Sequence, residues 1–562
     1  MNPAGWGARP ASAIAAAAWL LQFGLAFGFL NGLLSFENRW PGFGVQAAPR
    51  LSFELCLALA ALAGWVAWRG SPGPRATNGL ALAFVLLVLV RYVDVTVPAV
   101  LGRPVNLYWD GRHGLELLQV ALGSMPRWYG MAMGLLLLGG LTLLVVTVRM
   151  AIVGLARCLS WPAPRPAILA GVGALAISFW AYVPGERDTR WFFSLPLAPT
   201  LKQQALLMTR VLWPAHGEAV LGASPSFETG LDGLKGPDGA ADVVVVFAES
   251  YGASAFDLPV VRAALAEPRA ALMRALDGTG RGVVSARVRS PTFGGGSWLA
   301  HASFLSGLPM SDPGHHDLLL TSRRPTLVSH FAQHGYRTVG WMPGIKRAWP
   351  EGAFYGYERV ADDPGIGYEG PDFGYWRIPD QLSMARLHEQ ELADSDPEGA
   401  PRQPRFVVFP TISTHAPFHP LAPYVEDWAK LRTPGAYTAT DAAAAQAVPL
   451  ALQQPLPNYV QSLHYQFQWV TGYLQQQARR SLVLVLIGDH QPPGLVSGRG
   501  ASWDVPVHVF SSDAALLERL KARGFAGGLF PPEGSLGPMH GLTRRLLEAF
   551  DSSPPPDPET QT

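Results

Sequence analysis

Asp242-Val-Val-Val-Val-Phe-Ala-Glu249 is a continuous apolar run that ends in a carboxylate. It does not alternate, so neither face of it is suited to water. Such a run fits a strand buried on both faces of a parallel sheet. Residues 336–341, 406–410 and 481–487 read as further strands of this kind. Helical patterns lie between them, at 260–276, 325–335 and 460–479. Strand-helix alternation over about 300 residues predicts an α/β domain with a mostly parallel, doubly wound central sheet.

In open α/β sheets, ligands collect beyond the carboxyl ends of the strands. Two such ends carry metal-ligating residue types. Glu249 closes the first strand, and Gly488-Asp489-His490 follows the last. A Glu after an apolar strand is most often just a solvated strand end. Asp-His after a glycine is more specific, because adjacent ligating types on a tight turn can face one ion. Together they offer two carboxylates and an imidazole, a set suited to one divalent metal ion, Mn2+ or Zn2+.

Between these ends lies Phe293-Gly-Gly-Gly-Ser297-Trp-Leu-Ala-His301. Three glycines before a Ser and a helical pattern place Ser297 near a helix N-terminus, where N–H groups and the dipole favour phosphate. The plain alternative is an N-cap serine. A hydroxyl that also ligates a metal becomes a nucleophile. No Lys-Ser/Thr follows the glycines, so this is no nucleotide P-loop, and there is no Gly-x-Ser-x-Gly elbow.

Outward from this domain the composition changes. Residues 1–185 carry 12 Arg, no Lys and 5 acidic residues, a net of +7, whereas 186–562 carry 31 basic and 37 acidic residues, a net of −6. The total of +1 excludes a strongly basic nucleic-acid binder. Mean hydropathy is +0.15 and only 15% of residues are charged, against about 25% ordinarily. Apolar runs near 13–35, 51–68, 78–101, 128–148 and 166–184 account for this. Each approaches the ~20 residues that cross a hydrocarbon core. The first is too long for a signal-peptide core and reads as an uncleaved anchor. Arg91 and Asp94, three apart, can pair on one helix face. The chain thus divides into a five-helix transmembrane domain (1–185), a membrane-surface segment and linker (186–239), a catalytic domain (240–549) and a disordered tail (550–562).

Strand-end Glu249, glycine-flanked Ser297, Ser413-Thr-His415-Ala-Pro-Phe and Gly488-Asp489-His490 occur in that order. This ensemble resembles the sulfatase-like branch of the alkaline phosphatase superfamily, and within it the membrane-anchored lipoteichoic acid synthases, phosphoglycerol transferases and phosphoethanolamine transferases. The resemblance implies that Glu249, Ser297, Asp489 and His490 bind one divalent metal. It implies that Ser297 attacks a phosphodiester and becomes phosphorylated, although the family more often has Thr there. It matches His415 to a histidine that contacts the phosphate or the leaving group, a task that suits an imidazole. It places Lys346, Arg347 and Trp349 where the family contacts the headgroup. His301, His419 and His508 read as structural.

The function implied is transfer of a phosphoglycerol or phosphoethanolamine headgroup from a phospholipid donor to an envelope glycan or lipid acceptor. The resemblance puts the protein in the bacterial inner membrane, multi-pass, with the catalytic domain on the periplasmic side. Ser297 is followed by Trp-Leu-Ala-His rather than x-Pro-x-Arg, so the sulfatase-type formylglycine is not expected. Cys56 and Cys158 are the two cysteines, so nothing after residue 185 can form a disulfide. Lipid A phosphoethanolamine transferases usually carry ectodomain disulfides, which tilts the reading toward phosphoglycerol. A hydrolase, either phosphodiesterase or sulfatase, is the first alternative, and a non-catalytic membrane sensor or scaffold the second.

Overall fold

The computed structural model describes residues 13–39, 42–101, 105, 127–162, 164–182, 192–212, 221–225, 227–236, 239–311, 313–346, 349, 351–374, 376–393, 402–449, 454–478 and 481–552. The chain forms two compact units, Met1–Ala99 with Pro104–Met208, and Val100–Arg103 with Thr209–Thr562.

Helices in the first unit occupy all five apolar runs: Ala13–Ser35, Phe53–Arg69, Pro74–Leu101, Arg127–Leu159 and Arg165–Tyr182. Three of them are long and apolar enough to cross a membrane, within Ala16–Ser35, Pro74–Val100 and Gly130–Leu159. Phe53–Arg69 has 17 residues and rises about 25 Å, short of a ~30 Å core. The apolar part of the last helix, Arg165–Phe179, is shorter still. In Gly130–Leu159 only 6% of the apolar window is buried in protein, so Leu135 to Leu138 face outward. That is the signature of a helix whose surroundings are themselves apolar.

Arg91 and Asp94 do meet, but loosely, at 3.7 Å. The Arg91 guanidinium is spent mainly on backbone. It donates to Phe36 O at 3.2 and 3.1 Å and to Leu195 O at 2.8 Å. Asp94 accepts from the Thr200 hydroxyl, and Glu54 from Leu197 N–H. These charges pin the segment after the last apolar helix to other helices of the same unit.

The second unit is built on a nine-stranded sheet. Its strands are β1 (Val243–Ala248), β2 (Gly282–Arg289), β3 (Arg337–Trp341), β4 (Arg359–Ala361), β5 (Arg405–Pro410), β6 (Val483–Gly488), β7 (Asp504–Ser511), β8 (Ala526–Gly527) and β9 (Ser535–Pro538). Their order is β8-β2-β7-β6-β1-β5-β3-β4, with β9 beside β2. From β6 to β4 all pairings are parallel. β7 is antiparallel to both β6 and β2. The four strands read from sequence are therefore the parallel centre, and the antiparallel flank is additional. β2 hides in sequence because Ser285 and Arg287 interrupt its apolar residues, although both are buried.

β1 is buried at every position. Val244, Val246 and Ala248 pack with Leu463 and Trp469 of the helix Leu456–Gln476 and with Leu272 of Ala266–Thr279. Val243, Val245 and Phe247 pack on the other face with Phe304, Phe331 and Leu546. Helices thus cover both faces, which is why the run shows no polar alternation. Each such side chain contributes about 1.5–3 kcal/mol by leaving water. Two boundary readings change. Leu231 and Leu234, read as linker, belong to this core, and so does Phe550, read as tail. An apolar anchor amid Gly or Pro is easily mistaken for linker. Residues 553–562 of the tail lie outside the described residues.

Candidate active site

β1 and β6 are adjacent and parallel, with Ala248 opposite Gly488. The residues that follow each strand must therefore emerge side by side. Glu249, Asp489 and His490 do, and each offers a ligand atom within 4.8 Å of the others. All three are buried. Gly488 is required here: a Cβ would sit 1.8 Å from Tyr251 O.

Ser297 reaches the same point from a third element. Gly294, Gly295 and Gly296 all hold left-handed φ, at +65, +141 and +82, a conformation that costs other residues free energy. At Gly296 a Cβ would also press on Thr292 Oγ1 at 2.8 Å. Gly296 is the N-cap of the helix Ser297–Ser306, so Ser297 is its first helical residue and not the cap. Its hydroxyl donates to Glu249 Oε2 at 2.9 Å and lies 3.1 Å from His490 Nε2.

The tautomer of His490 follows from its other nitrogen. Nδ1 faces the Gln491 carbonyl at 2.8 Å. A carbonyl only accepts, so Nδ1 carries the proton and the Nε2 lone pair is left to face the cluster. His415 is arranged in the same way, with Nδ1 against Ala416 O at 2.7 Å.

The carboxylates are unequally served. Asp489 Oδ1 accepts from the N–H groups of Ser250 and His490, at 2.8 and 2.6 Å. Asp489 Oδ2 is buried and accepts no hydrogen bond. Burial and the neighbouring Glu249 carboxylate hold Asp489 well above the usual carboxylate range. Burial also pushes Glu249 up, but His415, His490 and hydrogen bonds from Asp489 and Ser250 outweigh it and bring it to about 2. Two buried acids this close share a proton unless a cation displaces it. The orphaned oxygen, the like-charge pair and the aimed imidazole lone pair fit a divalent metal.

Three residues that the sequence reading did not single out serve this site. Ser250 bridges the pair, its N–H on Asp489 and its hydroxyl on Glu249 Oε1 at 2.8 Å. It does so at φ +55, one of two left-handed non-glycine residues among those described. Asp380 is fully buried and accepts from the N–H groups of Ile412 and Ser413, both at 2.9 Å, which holds the loop that carries His415. Burial pushes its carboxyl up to about 6 despite those bonds. Trp376 lies with its ring 4.9 Å from that of His415, and Lys346 Nζ is 5.9 Å from the same ring. A serine after Glu, or a Trp in a Gly/Pro-rich loop, gives no spacing signal in sequence.

The other expected residues divide. Lys346 is brought toward His415 through Trp376. Arg347 lies outside the described residues. Trp349 stacks on Tyr355 at 6.0 Å and packs against the core. His301 lies against Phe247, at 4.2 Å between ring centroids, and burial lowers it to about 4. His508 bonds Tyr251 and Ser285 beneath the sheet.

Residues 241–506 match the family model described as Sulfatase. No curated protein sequence matches the chain. Among solved structures it is similar to the lipoteichoic acid synthase LtaP of Listeria monocytogenes (14% identity, TM-score 0.32, 48% of this chain and 65% of that one, just under two thirds). It is similar to the phosphoglycerol transferase GacH of Streptococcus pyogenes (12%, 0.32, 61% and 91%). A third is the periplasmic domain of EcEptC from Escherichia coli in complex with Zn (13%, 0.34, 55% and 80%). These scores are too low to argue from, and the assignment rests on the family match. Residues 241–506 of the chain thus carry a Sulfatase family domain.

Proposed function

We propose that the protein transfers a phosphoglycerol or phosphoethanolamine headgroup from a phospholipid to an envelope glycan or lipid, through an ester on Ser297. One observation carries this reading. The Ser297 hydroxyl, fixed at a helix N-terminus, donates to Glu249 at 2.9 Å and lies 3.1 Å from His490 Nε2. That is the arrangement of an activated nucleophile.

Glu249, Asp489 and His490 would hold the divalent ion, Mn2+ or Zn2+, with the Ser297 oxygen beside them. When bound, the ion supplies Lewis-acid charge for the anion that builds on the phosphoryl oxygens. The chain does the rest. Ser297 Oγ forms a bond to phosphorus as its proton passes to Glu249 Oε2, to which it already donates. The bond from phosphorus to the diacylglycerol oxygen breaks, and that oxygen takes a proton from Nε2 of His415 in its doubly protonated form, which leaves the Nδ1–H on Ala416 O. An acceptor hydroxyl then returns a proton to His415 Nε2 and attacks phosphorus, the bond to Ser297 Oγ breaks, and Oγ takes its proton back from Glu249. Trp376 and Lys346 border the headgroup, the cation serving the phosphate. Apolar helices fit a lipid donor, since membrane confinement raises its effective concentration. We place the protein multi-pass in a bacterial inner membrane, with this unit on the periplasmic side. The cysteine-free catalytic unit favours phosphoglycerol.

The test is mass spectrometry of Ser297 and of the lipid products after incubation with mixed phospholipids. A glycerophosphate or ethanolamine-phosphate adduct on Ser297 with diacylglycerol release is expected, and Ser297→Ala should lower release at least ~10³-fold. Full turnover in that variant overturns the nucleophile. Free headgroup with no decorated acceptor establishes the hydrolase instead.

A further inference from the structure

A cavity of about 280 Å³ lies in the catalytic unit, between the loop after His415, the helix Leu456–Gln476 and the end of Ala439–Ala447. Gln461, His464, Tyr465 and Gln468 line it from one side. Their spacing of three, one and three puts them on a single helix face. Phe418 and His419 line it from the other.

We infer that this cavity receives a neutral polyhydroxylated ring, the sugar or polyol that accepts the headgroup; the inference rests on the transferase reading above. The lining excludes the other occupants. No Lys, Arg, Asp or Glu is among the described residues that line it, so a phosphate or a metal ion finds no countercharge. An acyl chain would strip water from two amides and two imidazoles and return no hydrogen bond. Vicinal hydroxyls both donate and accept, as do Gln461 and Gln468. His419 Nε2 is already buried without a partner. Phe418 and Tyr465 supply apolar ring surface beside these polar groups, the mixture of a small-molecule site. The volume, at the small end for such sites, admits one ring and not a chain.

The cavity adjoins the chemistry. Phe418 N–H donates to His415 O at 2.7 Å. The Phe418 ring lies 5.1 Å from that of Tyr459, whose hydroxyl donates to Ser250 O at 3.0 Å. Ser250 in turn holds Glu249. One tyrosine and one serine separate the cavity wall from the carboxylate that Ser297 touches.

The test is saturation-transfer NMR on the full chain in nanodiscs, with an equimolar mixture of methyl glucoside, methyl phosphate and hexanoate. Transfer to the glucoside is expected, with its half-saturating concentration raised roughly tenfold in His464→Ala and Gln468→Ala, the loss of about one hydrogen bond. Both positions are half-exposed, and an unchanged circular dichroism spectrum reports folding in each. Transfer to hexanoate or methyl phosphate alone, no transfer to the glucoside, or an unchanged midpoint in both folded variants overturns the proposal. Adduct formation on Ser297 in the unmodified protein is measured separately. Its absence refutes the transferase, whereas its presence without glucoside binding refutes only the acceptor site.

Discussion

Both units bury charged side chains and mostly satisfy them, but the candidate active site does not. In the apolar unit, Arg91 is covered by protein, but its guanidinium meets two backbone carbonyls and Asp94. Glu54 and Asp94 likewise find donors. In the catalytic unit, Asp489 is equally buried, yet one of its oxygens accepts no hydrogen bond and its nearest carboxylate neighbour carries the same charge. A satisfied buried charge is structural glue. An unsatisfied one beside a like charge is a cost that a fold retains where a ligand offsets it.

Asp489→Asn should break this contrast most visibly. Metal present at a hundredfold its dissociation constant is expected to stabilise the unmodified protein by about 2.7 kcal/mol. The variant should lose that gain and its turnover, while its metal-free form melts no lower than the metal-free parent. Thermal unfolding with and without Mn2+ or Zn2+ decides this. A metal-dependent rise that survives in the variant would show that Asp489 is no ligand.

Arg91→Met is the counterpart. It keeps the volume but strands Phe36 O and Leu195 O, and should cost the apolar unit about 2–5 kcal/mol. Unfolding in detergent measures it. Bound metal per folded molecule should not change, because these partners all belong to the apolar unit.

Asp380→Asn sharpens the comparison by pH. The folded carboxyl sits at about 6 against an ordinary 3.8, so between these values the folded state holds the proton more tightly than the unfolded one. Stability of the metal-free protein should therefore fall as pH rises from about 4 to about 6, by roughly 2–3 kcal/mol. The variant should lack that component. Equal slopes in denaturant unfolding across this window would mean that Asp380 is not the group responsible.

Much of this was legible in the sequence. Apolar continuity at 242–248 and 481–487 marks strands covered on both faces, and charge composition separates the two units. Glu249, Ser297, Asp489 and His490 stand out because glycines and strand ends punctuate them. Ser250, Asp380 and Trp376 do not, since a positioning hydroxyl, a buried acid and a loop indole follow no period. The antiparallel flank escaped because Ser285 and Arg287 find partners in the fold that the local sequence does not display.

The sequence by itself determined which segments are apolar enough to leave water, and which residues can ligate a metal or attack phosphorus. Only the tertiary structure decided that β1 and β6 are neighbours, so that residues some 240 positions apart share one site. It also decided that Ser297 points at Glu249 and not back into its own helix. Hydrophobicity and residue chemistry are properties of short segments, whereas strand pairing and side-chain direction are set by packing among segments far apart in the chain.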